Sequence, residues 1–135
     1  MLLLLSLILF ASRVDTERKI YDTVIHILLP QAKKVRVWSD SKSLSIELES
    51  LEDVTIVTDI NNAQIAIVTG EDVPKKCSCL LFVTSYKQLK KYQDRAVGGF
   101  FWQKGRPNIV FLKKNLQKHG IEVPKSMQQF VEDEL

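Results

Sequence analysis

The run Cys79–Val83 in "CLLFVTS" constrains this chain most, because it is apolar at every position. A strand with apolar side chains on both faces has to be covered on both faces, which is the condition of a central strand in a parallel sheet. Parallel neighbours cannot be joined by tight turns and require crossover segments, so strands should alternate with helices. The surrounding sequence supplies that alternation. "KKVRVWSD", with Val35 and Val37, reads as a first strand, "VTIVTD" as a second and Ile65–Val68 as a third. "DTERKIYDTVIHILLPQ" places Ile20, Val24, Ile27 and Leu28 at helical spacing, with Asp15 or Thr16 as cap and Pro30 as the stop.

"SDSKSLSIELESLED" fits two periods: Leu44, Ile46 and Leu48 suit a strand, whereas Leu44, Leu48 and Leu51 suit a helix capped by Asp40 or Ser41. The strand that follows favours the helix, since a parallel pair needs its crossover. "DINNAQ" reads as a short turn or helical piece before the third strand. "SYKQLKKYQ" predicts a helix with Tyr86, Leu89 and Tyr92 inward and Thr84 or Ser85 at its cap. The fold class expected is α/β: one layered domain over 13–135, a mainly parallel sheet of about five to six strands with a C-terminal hairpin and flanking helices.

The hairpin is "GGFFWQKGRPNIVFL". Strands Phe100–Trp102 and Ile109–Leu112 are expected to flank a loop in which Gly105 takes positive φ and Pro107 fixes the exit. Gly98 and Gly99 allow close approach of a backbone or a ligand, or seat a bulge at the sheet edge. Alternation sends Phe100 and Trp102 to one face and Phe101 to the other. Read as an edge strand, the segment either hides all three rings under core and helix or exposes an aromatic beside Lys104 and Arg106 as an interface hot spot. A helix, "LKKNLQKHG", follows with Leu112 and Leu116 inward and Gly120 as its left-handed stop. A final helix should open at Pro124 and bury Met127, Phe130 and Val131.

Nineteen Lys and Arg against sixteen Asp and Glu leave a net charge of +3, too small to indicate a phosphate-neutralising stripe. "MLLLLSLILFAS" is too short for a bilayer core, which takes about 20 apolar residues in a helix. It fits the hydrophobic region of a secretory signal, although no basic residue precedes it and "FAS" is a poor cleavage site. Residues 1–12 are therefore expected to be a signal peptide or a short anchor, with a first element of the mature fold as the other reading. Export places the protein in the periplasm.

Cys77 and Cys79 are not at C-x-x-C spacing, which supports neither a thioredoxin-type motif nor a zinc knuckle. In an extended strand a bridge between them would be strained, so the expectation is that Cys79 packs in the strand and Cys77 lies at its edge, with a labile redox pair as the alternative. His26 and His119 lack ligand-spaced partners, so no metal site is expected. No G-x-S-x-G elbow, phosphate-binding glycine loop or H-E-x-x-H occurs, and neither catalytic residues nor a cofactor are expected.

The segment from Gly98 onward resembles a known signature. Gly98-Gly99, an aromatic strand, a short turn, and "NIVFLKKNLQKHGIEVPKSMQQFVED" with Asn115-Leu116, Gly120-Ile121 and a closing helix are similar to the C-terminal region of the YfiR-like family of exported bacterial proteins. The resemblance implies an α/β periplasmic domain that binds and restrains a membrane-anchored diguanylate cyclase. The chain departs from that family in its shorter first half and in lacking the spread-out cysteines that some members pair.

Two functions are expected from these features. The first is a periplasmic regulatory or sensor domain that docks on a membrane-anchored signalling protein, with Phe100, Trp102, Lys104 and Arg106 as contact residues. The second is a small solute- or anion-binding domain using the carboxyl ends of the strands, near Ser39, Ser41, Thr58, Asn61, Thr84 and Ser85. A homodimer is compatible with either. Stacking of nucleic acid on the basic hairpin is physically allowed, but export argues against a nucleic-acid partner.

Overall fold

A computed structural model describes residues 2–75 and 77–135, with side chains from Arg13 onward. Its order is α1 (Leu2–Leu28), β1 (Val35–Ser39), α2 (Lys42–Glu49), β2 (Val54–Ile56), β3 (Ile65–Val68), β4 (Leu80–Val83), α3 (Tyr86–Lys91), β5 (Gly98–Gln103), β6 (Arg106–Leu112), α4 (Lys113–Lys118) and β7 (Val131–Glu132). Short 3-10 turns lie at Ile60–Asn62 and Lys125–Phe130. The α/β class with a mostly parallel sheet is as expected. The strand count rises to seven because β7 adds itself to the hairpin.

The sheet runs β2-β1-β3-β4-β5-β6-β7. Strands β1 to β5 are parallel, β6 is antiparallel to β5, and β7 is parallel to β6. In this order the winding reverses between β1 and β3, and in doubly wound sheets that reversal opens a crevice beyond the carboxyl ends of the strands. Strands β3 and β4 are buried at every position, as apolar runs covered on both faces must be.

Two cores follow from the alternation of side chains across the sheet. On one face Tyr21, Val24, Ile25 and Leu28 of α1 and Leu44 and Leu48 of α2 pack on Val35, Val37, Ile65, Ile67, Phe82, Phe100 and Phe111. On the other, Leu89 of α3 meets Ala66, Val68, Leu81, Val83 and Leu112. Tyr21 holds the first core together through edge-on contacts with Phe82 and Phe100, at centroid distances of 6.4 and 5.4 Å.

Several local expectations change. Helix α1 carries no cap at Asp15 or Thr16 but runs unbroken from Leu2, so the apolar segment and the amphipathic one form a single helix. The signal or anchor expectation for residues 1–12 concerns side chains outside the described residues. No helix of the described residues is long and apolar enough to cross a membrane. The final helix is instead a 3-10 turn whose Met127 and Phe130 are only half-buried, and Val131 leaves it to enter β7. Tyr86 does not face inward: it is 48% exposed, and Gln88 is buried in its place beside Leu89. Strand β5 is not an edge, since β4 and β6 flank it.

Cys77 and Cys79 are joined in a disulfide, with Cα atoms 5.1 Å apart. The pair lies in the connection before β4, not in the strand, and that curvature brings the Cα atoms within the ordinary range for a bridge.

Candidate functional site

The turn chemistry of the first parallel unit positions the site. Ser41 caps α2 by accepting from Leu44 N at 3.2 Å, and Ser85 caps α3 by accepting from Gln88 N at 3.1 Å. The carboxylate of Asp40, at the end of β1, accepts from Thr69 N at 2.8 Å, Thr69 Oγ1 at 3.0 Å and Gly70 N at 2.7 Å. These bonds lock the ends of β1 and β3 together across the reversal of winding. A Cβ on Gly70 would lie 2.8 Å from Asp40 Oδ2, so glycine is what lets the carboxylate close on the loop. Gln88 ties the next loop: its Nε2 donates to Gly70 O, and its Oε1 accepts from Thr84 N at 3.3 Å and Ser85 Oγ at 3.1 Å.

Above this braced floor lies a cleft of about 700 Å³. Helix α1 contributes Glu17, Arg18 and Tyr21; the α2 region contributes Ser41, Ile46 and Glu47; Thr69 and Thr84 follow β3 and β4; and β5 contributes Phe100, Phe101 and Trp102. The cleft thus sits at the carboxyl ends of the parallel strands, where doubly wound sheets receive ligands.

Its aromatic wall is ordered. Phe100 and Trp102 share one face of β5 and meet edge-on at 5.8 Å, while Phe101, on the other face, meets Tyr86 at 6.1 Å. The guanidinium of Arg13 sits 4.2 Å from the centroid of the Trp102 ring, in cation–π contact. Among the described residues Trp102 Nε1 is buried with no partner in bonding geometry, yet its dipole is felt at Glu17.

Glu17 and Glu47 give the cleft its electrostatic character. Burial holds the Glu17 carboxyl above the usual carboxylate range, against the opposing pull of the Trp102 N–H and Arg13. Burial raises Glu47 likewise, the negative charge of Glu17 adds to that, and Arg18 opposes it. Desolvation, with the charges of Glu17 and Glu47, keeps the Tyr21 phenol protonated well beyond its ordinary range. Arg18 is itself engaged, bonded to Asp15 and reaching Ser50 Oγ at 3.4 Å.

The sequence-derived residues divide in this frame. Phe100 is 1% exposed and packs in the core beneath the cleft. Trp102 is half-buried and lines the cleft, whereas Lys104 and Arg106 are exposed at the hairpin turn. That turn is tighter than expected: Lys104 and Gly105 take φ of 52° and 75°, and Pro107 lies inside β6 opposite Trp102. Of the proposed ligand-binding set, Ser41 and Thr84 line the cleft. Ser39 accepts from Ser41 N, Ser85 serves as a cap, and Thr58 and Asn61 lie outside the lining.

His26 has acidic partners that spacing did not reveal. Its Nδ1 lies 2.7 Å from Asp22 O and its Nε2 lies 3.0 Å from Asp53 Oδ2. Among the described residues no group of three His, Cys, Asp or Glu is placed to hold a metal ion.

Sequence reasoning missed Glu17, Glu47 and Tyr21. Their signal was the acidic residue on an otherwise core-facing helix turn, visible only once α1 and α2 are known to be neighbours. Comparison with protein-family models, curated proteins and solved structures finds no match.

Proposed function

We propose that this protein is a solute-sensing domain that acts by binding, with the cleft between α1, α2 and β5 as its recognition site. The observation that carries this reading is the position of the cleft: it opens at the carboxyl ends of β1, β3, β4 and β5, is walled by aromatic side chains, and ends in a few convergent polar groups. Its floor is braced by Asp40 and Gln88, which gives a preformed site rather than one assembled on binding.

The test uses the protein's own reporter. Trp38 and Trp102 are its two tryptophans, so a Trp38→Phe variant leaves Trp102 as the sole indole at the cleft wall. Solutes that occupy the cleft should change Trp102 emission and raise the melting temperature, with about 2.7 kcal/mol of stabilisation at 100 times the dissociation constant. Silence in both readouts across cationic, anionic and neutral solutes would overturn the proposal.

A second reading concerns output. Among the described residues Ile46 and Tyr86 are the exposed large hydrophobic side chains, at 62% and 48%; Ile46 borders the cleft and Tyr86 packs on Phe101 in its wall. Such a rim suits contact with a partner. Together with the resemblance to YfiR-like proteins, it supports an exported regulator that restrains a membrane-anchored signalling protein of the diguanylate-cyclase type. Ile46→Ser with Tyr86→Ser should abolish cross-linking to such a partner in intact cells while the cleft still responds to solutes. Unchanged cross-linking would remove this reading.

A further inference from the structure

The interior of the cleft says more than that it binds: resting on the solute-site reading above, its side chains specify the charge of the solute. Several of the backbone donors that could receive an anion are already used. Asp40 occupies the N–H groups of Thr69 and Gly70, Leu44 N is bonded to Ser41, and Gln88 N is bonded to Ser85. Arg18, the cation in the lining, is bonded to Asp15 and Ser50. By contrast Glu17 and Glu47 both line the cleft, and among the described residues neither forms an ion pair. Beside them stands Trp102, whose ring face already receives the guanidinium of Arg13 at 4.2 Å.

We propose that the cleft binds a compact organic cation, a guanidinium or alkylammonium group, held between the carboxylates of Glu17 and Glu47 and the aromatic wall led by Trp102. A cation placed there answers two negative groups that otherwise oppose each other, and the ring quadrupole adds attraction that grows as water is excluded. Arg13 acts in this arrangement as the chain's own occupant of the ring face, which an incoming cation replaces. Phe100 and Tyr21 beneath Trp102 keep the wall rigid.

The experiment is titration of the full chain, followed by Trp102 emission in the Trp38→Phe background and by melting temperature, with agmatine, tetramethylammonium, acetate and inorganic phosphate. Agmatine and tetramethylammonium should give saturable responses and the two anions none. Glu17→Gln with Glu47→Gln should weaken agmatine by about tenfold or more, the 1.4 kcal/mol or more expected for the loss of charge pairing in a partly desolvated site. Its melting temperature should equal or exceed that of the parent, which shows that the loss is not one of folding. Arg13→Ala should tighten agmatine binding by clearing the ring. The peptide Gly-Arg-Gly separates sources: a response equal to that of agmatine indicates a partner's arginine, and a response to agmatine alone indicates a free amine, the guanidinium chemistry being the same. A response to phosphate or acetate without one to the amines would overturn the cation assignment and leave the solute site standing, as would undiminished agmatine binding in the double Gln variant. Silence to every probe would remove both.

Discussion

At Gly98 the absence of a methyl group decides whether the hairpin can close. A Cβ there would lie 2.3 Å from the backbone oxygen of Val110, which cannot withdraw without breaking the β5–β6 ladder. Gly98→Ala should therefore cost about 3 kcal/mol or more, read as a fall in the urea midpoint. A Cβ on Gly99 would meet Val83 O at 3.0 Å and the side chains of Val83 and Leu89 slightly farther off, so Gly99→Ala should cost distinctly less. The glycine pair was legible as a place of close approach, but the approaching group was not: it is the neighbouring strand. Asn115, also prominent in the sequence, is 1% exposed and donates to Gln93 O at 2.8 Å and Ala96 O at 2.6 Å. Asn115→Ala would leave two carbonyls without their donor and should destabilise the fold by about 1–3 kcal/mol in chemical denaturation. The acids of the cleft act in the opposite sense. Because Glu17 and Glu47 have folded pKa values above their unfolded ones, the folded state holds protons more tightly. Stability then falls as pH rises from about 4.5 through the raised values. Glu47→Gln should raise the melting temperature near pH 7 and change it little at about pH 4, where the native side chain is already protonated in both states.

Among the elements, α1 is latched to the loop after α2 by a polar contact at His26. His26 faces Asp22 on its own helix and Asp53 beyond α2, with Glu122 across the neighbouring groove, and both ring nitrogens meet oxygen acceptors. The bond to the Asp22 carbonyl, then Asp53 and the two carboxylate charges, raise its pKa. A raised histidine contributes stability that is full below about pH 6.5 and is lost as pH climbs through the folded value. His26→Gln should flatten that decline in a series of thermal melts between about pH 5 and 9, and parallel curves for variant and parent would exclude the latch. The helical periods of α1 and α2 were readable because each carries an apolar stripe onto a sheet. Helix α3 misled at Tyr86: the hydrogen bonds of Gln88 to Gly70, Thr84 and Ser85 set the helix's rotation, and an amide with three backbone and side-chain partners outweighs a tyrosine that finds enough cover against Phe101. The C-terminal turn misled for a different reason. A six-residue segment with a proline at its entrance lacks the length for stable α-helix, and pairing of Val131 and Glu132 with Phe111 and Leu112 draws it into the sheet.

For the whole molecule, the alternation of apolar strands and amphipathic helices specified the class and the order of elements as far as α4, with strand limits displaced by a few residues. What it could not specify was which residues meet at the carboxyl end of the sheet. The cleft gathers Glu17, Glu47, Thr69, Thr84 and Trp102 from separate segments, and that neighbourhood depends on β1 lying between β2 and β3, a matter of topology and not of local pattern. The disulfide was likewise hidden by treating Cys79 as part of a straight strand. It closes a very short loop, so it restricts the unfolded chain little. Replacing both cysteines with serine should lower the melting temperature by no more than about 5 °C, and a larger drop would show that the bridge shapes the β3–β4 connection.

The outermost strands, β2 of three residues and β7 of two, are short, and β7 covers β6 only at Phe111 and Leu112, so the outer side of β6 from Arg106 to Val110 is not paired by a strand of the described residues. At the β2 side a neighbouring chain looking for somewhere to zip on finds a template too short to nucleate a ribbon, and at the β6 side the charge of Arg106 and the proline that follows it interrupt the template. Self-association by lateral growth is disfavoured on both sides by different means, and high concentration should not drive this molecule toward fibres.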